Sequence, residues 1–164
     1  MVPNDAYQRL IDLLEAQRAS YRILHHAPEG RTELVSQLRG HPTREAAKCL
    51  ILMLKLGKKV TQFILAVVPG DERVDLEGIK LQRNATYAGF AAAGVAEELA
   101  GSVSGTILPF AFDPRLALMV DPAVATSQTM YFNAGRLDRS VALATADYLR
   151  IAAPQIIPLA IRSL

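Results

Sequence analysis

A chain of 164 residues, 51% hydrophobic and 21% charged, has the length of one domain and enough apolar residues to fill a core of its own. A net charge of +2 is too small to mark the whole surface for nucleic acid, although a local basic patch is compatible with it. One cysteine, Cys49, excludes an internal disulfide framework; the acid-bearing N-terminal stretch does not read as a signal peptide, no apolar run reaches membrane length, and a cytoplasmic location is expected.

Tyr7, Leu10, Ile11 and Leu14 recur at helical spacing within residues 5–19, with Asn4 or Asp5 as the cap. Residues 21–28 read as a short strand ending at Pro28. Leu34, Val35 and Leu38 then form the buried stripe of a helix that Thr32 caps and that Gly40 and Pro42 stop. Two apolar runs, 46–56 and 60–68, are joined by Gly57-Lys58-Lys59 and predict a hairpin. After the Pro69-Gly70 turn come a short helical pattern over 73–82, weakened by Gly78, a strand over 86–90 and a helix over 92–100. Residues 104–112 are a glycine-led segment broken by Pro109. Strands over 116–120, 129–133 and 140–143 precede a last helix over 145–151, with Thr145 as cap and Asp147 in its first turn, where the helix dipole favours an anion. The apolar tail from 153 is expected to pack on the body. Helices and strands do not alternate regularly, so the fold class is α+β with a mixed, mainly antiparallel sheet.

Several chemistries leave no trace. There is no phosphate-binding loop and no dinucleotide fingerprint. His25, His26 and His41 have no metal-ligand spacing with Cys49 or with an acidic pair. The segment Gly101-Ser102-Val103-Ser104-Gly105 has the outline of a serine elbow, but Val103 holds the central place and a helix, not a strand, precedes it.

Lys48 is the residue that asks for an explanation. It stands directly before six apolar residues, 49–54, that read as a strand buried on both faces, so its charge must reach water or meet a partner. Lys48-Cys49-Leu50, the loop Gly105-Thr106-Ile107-Leu108-Pro109-Phe110-Ala111 and the run Phe132-Asn133-Ala134 follow one another in an order that resembles the YbaK family, also called the prolyl-tRNA-synthetase-associated editing domain. The resemblance covers roughly residues 20–150. It implies an α+β fold, either a mixed, mainly antiparallel sheet or a partly closed barrel flanked by helices, in one domain spanning 1–164. It also implies an aminoacyl-tRNA deacylase that acts on the CCA end of a mischarged tRNA, with a small amino acid on a prolyl-type tRNA as substrate. No cofactor or metal is implied, and an aminoacyl-tRNA synthetase is a candidate partner. Three positions depart from the family pattern: Thr106 for a second glycine, Ala134 for a proline, and Cys49 for a polar residue. They keep open an alternative, a non-catalytic module that binds tRNA ends, aminoacyl ligands or a protein partner.

The resemblance carries residue roles with it. Lys48, Gly105 and Thr106 are the catalytic candidates; His26, Leu108, Pro109, Phe110, Asn133, Ser140 and Asp147 are the substrate-binding ones. Hydrolysis of an ester needs a placed water and donors for the oxyanion, not a covalent nucleophile. Gly105 would let backbone approach the substrate, and Pro109 and Phe110 would fix and wall the loop. Lys48 would hold a terminal phosphate or the developing charge, Asn133 would orient the amino acid or ribose, and the substrate's own ribose hydroxyl would assist proton transfer. Arg22, Arg31, Arg39, Arg44, Lys58 and Lys59 would contact tRNA phosphates or simply face solvent. Cys49 is expected as inert core. Of His25 and His26, alternation along a strand lets only one face inward. Ala88, Ala91 and Ala92 are small residues that hint at room for a ligand without locating it.

Overall fold

Asp5 begins the first element. Its carboxylate takes the N–H of Tyr7 at 3.0 Å and caps α1 (Ala6–Ala16), whose Leu10 and Leu14 turn inward as their spacing predicts. The structure is a computed structural model and describes residues 5–161, so Asn4, the other cap candidate, lies outside the described residues. β1 (Tyr21–His25) is shorter than the stretch expected. α2 (Thr32–Arg39) stops at Gly40, whose φ of +80° is the left-handed end that glycine permits. Thr32 is its first residue rather than its cap. Arg31 occupies the cap position, and its N–H is held at 2.9 Å by the Glu29 carboxylate.

The predicted hairpin is β2 (Ala47–Leu56) with β3 (Val60–Pro69), paired antiparallel from Ala47↔Pro69 to Leu56↔Val60. Its continuous apolar run has a physical reason, since both faces are covered. Ile51 and Leu65 pack with Ala96 and Leu99 on one side, while Leu52, Leu54, Ile64 and Ala66 pack with Ile79 and Leu159 on the other. β4 (Arg73–Val74) leads into α3 (Leu76–Gln82), capped by the Asp75 carboxylate at the Gly78 N–H, 3.0 Å. β5 (Tyr87–Phe90) and α4 (Ala93–Ala100) follow, and then the loop over 101–115 with neither helix nor strand.

β6 (Leu116–Val120), β7 (Thr129–Arg136) and β8 (Arg139–Ala144) precede α5 (Thr145–Ala152). Thr145 was expected as the cap of α5. Ala144 holds that position, and the Thr145 hydroxyl is buried with no hydrogen-bond partner among the described residues. As far as residue 161 the tail packs on the body as expected. β9 (Gln155–Ile156) runs parallel to β6, β10 (Ala160–Ile161) pairs with β4, and the buried Asp121 carboxylate takes the N–H groups of Leu159 and Ala160 at 2.8 and 3.0 Å.

The strands form a five-stranded sheet in the order β5-β2-β3-β6-β9, a three-stranded sheet β1-β8-β7 and the β10-β4 pair. All pairings are antiparallel except β3 with β6 and β6 with β9. The sheets stay open, so the mixed, mainly antiparallel α+β form is present rather than a partly closed barrel. A single bridge between Ala46 and Tyr131 ties the entrance of β2 to β7, and a cavity lies at that seam. No helix among the described residues is long and apolar enough to cross a membrane.

Candidate active site

At the seam, α2, the first residues of β2, the end of β7 and two glycine-bearing loops enclose a cavity of about 220 Å³. Lys48, Gly105 and Asn133, singled out from three distant stretches of sequence, all line it. A strand places Lys48, a bulged strand places Asn133, and a left-handed turn places Gly105 with φ of +88°. Gly105 passes so close to Gly30 that a Cβ at 105 would lie 3.1 Å from the Gly30 Cα. Only glycine satisfies both the torsion and that approach.

Lys48 stands at the mouth. It lines the inner cavity and also an open outer depression shared with Gly30, Arg31, Thr32, Glu33, Leu34 and Gly70. Its ammonium donates to the Glu72 carbonyl. Burial lowers its pKa below the ordinary lysine value; Asp71, Glu33 and Glu72 pull the other way, and Arg73 adds to the lowering.

The deep wall is a polar network. Asn133 and Ser140 are cross-strand partners on β7 and β8, so both side chains project from one face, with Ser140 Oγ 3.0 Å from Asn133 Oδ1. Arg39, on the last turn of α2, donates through Nε to Ser140 Oγ at 2.7 Å and through Nη2 to Asn133 Oδ1 at 2.9 Å. The Asn133 amide donates to the carbonyls of Glu29 and Gly105, at 3.0 and 2.8 Å. Both amide protons and one lone pair of Oδ1 are therefore used within the protein, and Ser140 Oγ, whose one proton is shared between Oδ1 and His26 Nε2, stands beside the other. Asn133 clasps the two glycine loops together rather than leaving a group for substrate. His26 joins from behind: its Nδ1, 2.9 Å from the Ala27 carbonyl, carries a proton, and its Nε2 lies 2.7 Å from Ser140 Oγ. His25 is exposed, as the alternation argument requires.

The other candidates stand further off. Thr106 is buried with its hydroxyl turned back onto the Val103 carbonyl at 2.6 Å, and it does not line the cavity. Leu108 and Phe110 belong to the core beneath the loop. Phe110 packs edge-on to Tyr148, and the Pro109 carbonyl accepts the Tyr148 hydroxyl at 2.7 Å. These three residues anchor the loop from below, and Ile107 faces the cavity instead. Asp147 lies away from it at the start of α5. Its carboxylate accepts from the Ser20 N–H at 2.8 Å and from Arg150, which together hold it below the usual carboxylate range.

Two lining residues carry roles that the sequence did not suggest. Arg39 was expected at the surface and is instead the floor of the cavity; burial brings its guanidinium down to about 10, so it remains charged at neutral pH. Among the described residues it meets no carboxylate. Cys49 lines the cavity rather than lying wholly in the core, and burial pushes its thiol well up, which keeps it protonated. The cavity thus carries two cations, no carboxylate and a glycine clasp. The N–H groups of Gly105 and Ile107 meet no acceptor among the described residues. Such a lining favours negative charge developing on an oxygen, and it holds no general base. No group of three or more His, Cys, Asp or Glu side chains suited to a metal ion occurs among the described residues.

Comparison with known proteins bears on this geometry. A sequence-family profile described as an aminoacyl-tRNA editing domain matches residues 26–151. The multifunctional Ser/Thr-tRNA deacylase ProXp-y of Escherichia coli K12 is 40% identical over 152 residues, which is 92% of this chain and 90% of that protein. The protein of the same name from Escherichia coli O157:H7 matches equally. Among solved structures, the hypothetical protein APE2540 superposes with a TM-score of 0.83 at 20% identity, covering 93% of this chain and 99% of its own. A proposed trans-editing enzyme for prolyl-tRNA synthetase superposes with a TM-score of 0.78 at 17% identity, covering 99% of each chain. At those identities the likeness is one of fold.

Proposed function

The chain belongs to the aminoacyl-tRNA editing-domain family, and from that premise we propose that it is a hydrolase which clears seryl and threonyl esters from mischarged tRNA, with the amino acid seated in the cavity at the seam. The observation that carries this is the meeting of Lys48 and Gly105 in one small cavity with two cations and no carboxylate. About 220 Å³ is the liquid volume of about seven waters, which suits a small amino acid and one attacking water but not a large side chain.

The chemistry follows from the lining. The ester carbonyl lies at the mouth, where the free N–H groups of the Gly105 loop and the charge of Lys48 meet the oxyanion as it forms. Water attacks the carbonyl carbon, the tetrahedral intermediate collapses, and the ribose oxygen leaves with a proton. With no carboxylate or histidine in the lining, the neighbouring ribose hydroxyl of the substrate is the group that relays that proton. The CCA end lies across the outer depression beside Arg31 and Lys48. This gives Lys48 the developing charge rather than a phosphate, because Lys48 also lines the inner cavity in which the amino acid is seated. The whole of 1–164 acts as one domain, in the cytoplasm where charged tRNA is made, and a synthetase is the natural partner to hand over the mischarged product.

Seryl and threonyl esters are proposed because the 40%-identical relative is named for them. The prolyl-type tRNA expected from the loop resemblance belongs in the same assay as a second tRNA body. Purified protein is mixed with Ser-, Thr-, Ala- and Cys-charged tRNAs, and loss of the ester is followed over time. Turnover of the seryl and threonyl species is expected. If every species survives a large excess of folded protein, the reading is wrong, and retained tRNA affinity without turnover would favour the binding module.

A further inference from the structure

We infer that Arg39 is the specificity-determining residue of the cavity, and that its unused guanidinium N–H groups donate to the side-chain hydroxyl of the amino acid. This rests on the deacylase reading and goes beyond it by naming the group that reads the side chain.

Three observations carry the inference. The first is a donor count. A guanidinium has five N–H groups, and Arg39 uses one at Ser140 and one at Asn133. Three remain in a group that lines the cavity and, among the described residues, has no carboxylate beside it. Arg39 is half-buried and its remaining nitrogen atoms are not sealed from solvent, so water meets these donors in the free protein and a substrate oxygen can take the place of that water.

The second is rigidity. Arg39 is held through a neutral hydroxyl and a neutral amide, and both are themselves fixed. Ser140 is tied to His26, and Asn133 is tied to the Glu29 and Gly105 carbonyls. A planar fork locked in this way presents its remaining N–H groups in one direction, which is what discrimination between side chains differing by one oxygen demands.

The third is the orientation of the substrate. Lys48 borders both the inner cavity and the outer depression, whereas Arg39 borders only the inner one. An ester joined to tRNA must enter from outside, so its carbonyl reaches Lys48 first, with Gly105 packed on Gly30, which borders both spaces, and its side chain points on to Arg39. The α-ammonium of the substrate is repelled by the two cations. Glu33 lines the outer depression, and Asp71 and Glu72 follow Gly70, which lines it too. The ammonium is therefore drawn outward, and the neutral hydroxyl is what remains for the floor.

The consequence is a preference that an apolar pocket of the same volume cannot produce. A pocket lined only by carbon separates seryl from alanyl esters weakly, whereas one whose buried donors need the hydroxyl separates them by several orders of magnitude, about 10⁴ in favourable cases. The experiment compares kcat/KM of the wild-type protein on Ser- and Ala-charged forms of one tRNA body, and on Thr- and Val-charged forms of another, since threonine and valine have nearly the same shape. A preference of at least about 100-fold for each hydroxyl-bearing member is expected. Arg39→Met, which keeps the stem and removes the donors, should collapse that ratio to below about tenfold.

The folding of Arg39→Met is checked by its melting curve. Ser140→Ala, which removes only one anchor of the guanidinium, serves as the second variant and should lower the ratio by a smaller factor. If the wild type cleaves seryl and alanyl esters equally, the inference fails while the deacylase reading stands. If Arg39→Met loses both activities in equal proportion, Arg39 acts at the carbonyl or on the fold, and the inference fails likewise. If the wild type cleaves neither ester, the deacylase reading falls and takes the inference with it.

Discussion

The mouth and the floor of the cavity each hold one cation, in opposite surroundings. Lys48 donates to a backbone carbonyl and feels the carboxylates of Asp71, Glu33 and Glu72. Among the described residues Arg39 bonds only to neutral oxygens. Burial lowers the pKa of both. At the mouth, the acids keep an ammonium charged in a half-buried place without fixing it by an ion pair, so it can meet charge that appears and then vanishes. At the floor, hydroxyl and amide dipoles fix a guanidinium rigidly and leave its charge uncompensated, which suits a standing hydrogen bond. The same formal charge thus serves a transition state in one place and recognition in the other.

The sharpest way to break that division is Lys48→Ala. Losing one preorganised partner of an oxyanion costs on the order of 10²–10³ in rate, about 2.7–4 kcal/mol. The fall should be in kcat, with KM little changed and with seryl and threonyl esters affected alike. The melting curve should stay close to wild type, because the Glu72 carbonyl is left near an open depression where water can replace the ammonium. A loss under about tenfold would move the charge-stabilising role away from the mouth.

Gly105→Ala examines the same end with a smaller expected effect. A side chain at φ of +88° is strained, and its Cβ would press on Gly30. Strain of this kind is worth about 1–3 kcal/mol. Relief by a shift of the loop would pull its N–H groups off the carbonyl, so kcat/KM should fall on the order of tenfold together with a measurable loss of stability. An alanine variant that is destabilised but fully active would show that the loop N–H groups are not the oxyanion donors.

How much of this was legible beforehand differs between the same two ends. Lys48 could be read because it interrupts the start of an apolar run, and that run could be read because a strand covered on both faces has no polar alternation. Gly105 was visible as the glycine of a loop closed by a proline. Arg39 was not visible. An arginine on the last turn of a short helix ordinarily goes to solvent and to the helix dipole, and its burial here depends on Asn133 and Ser140, 94 and 101 residues away. Their own meeting depends on the register of β7 with β8, which a bulge shifts immediately after Asn133. The small residues of the cavity could not be located for the same reason. Ala88, Ala91 and Ala92 lie in and just after β5, while the small residues of the cavity are Gly30, Ala46 and Ala47. Pro109 and Phe110 were recognisable as a wall, but which side of the loop they wall was set by Tyr148 from the far end of the chain.

The smallest expected effect is a dependence on pH, and it separates charge at the mouth from mere packing there. Lys48 must be charged to meet an oxyanion. Its pKa lies below the ordinary 10.5, so activity should be full near neutrality and begin to fall on the alkaline side earlier than a solvent-exposed lysine would allow. The fall is read after subtracting spontaneous ester hydrolysis in a no-enzyme control. In Lys48→Arg the fall should move to higher pH, since a guanidinium keeps its proton there. Stability runs the other way. Between the folded and unfolded pKa values of Lys48, the unfolded chain binds more protons, so this residue's contribution to stability rises with pH. The Cys49 thiol, pushed up rather than down, has the opposite sign above about pH 9, so the comparison must be the difference between wild type and Lys48→Ala, both of which carry Cys49. Wild type gaining stability over Lys48→Ala while losing activity across the same range would show that the alkaline loss is the loss of a charge. If stability and activity fell together, the lysine would be a structural strand-end cation whose deprotonation loosens the mouth.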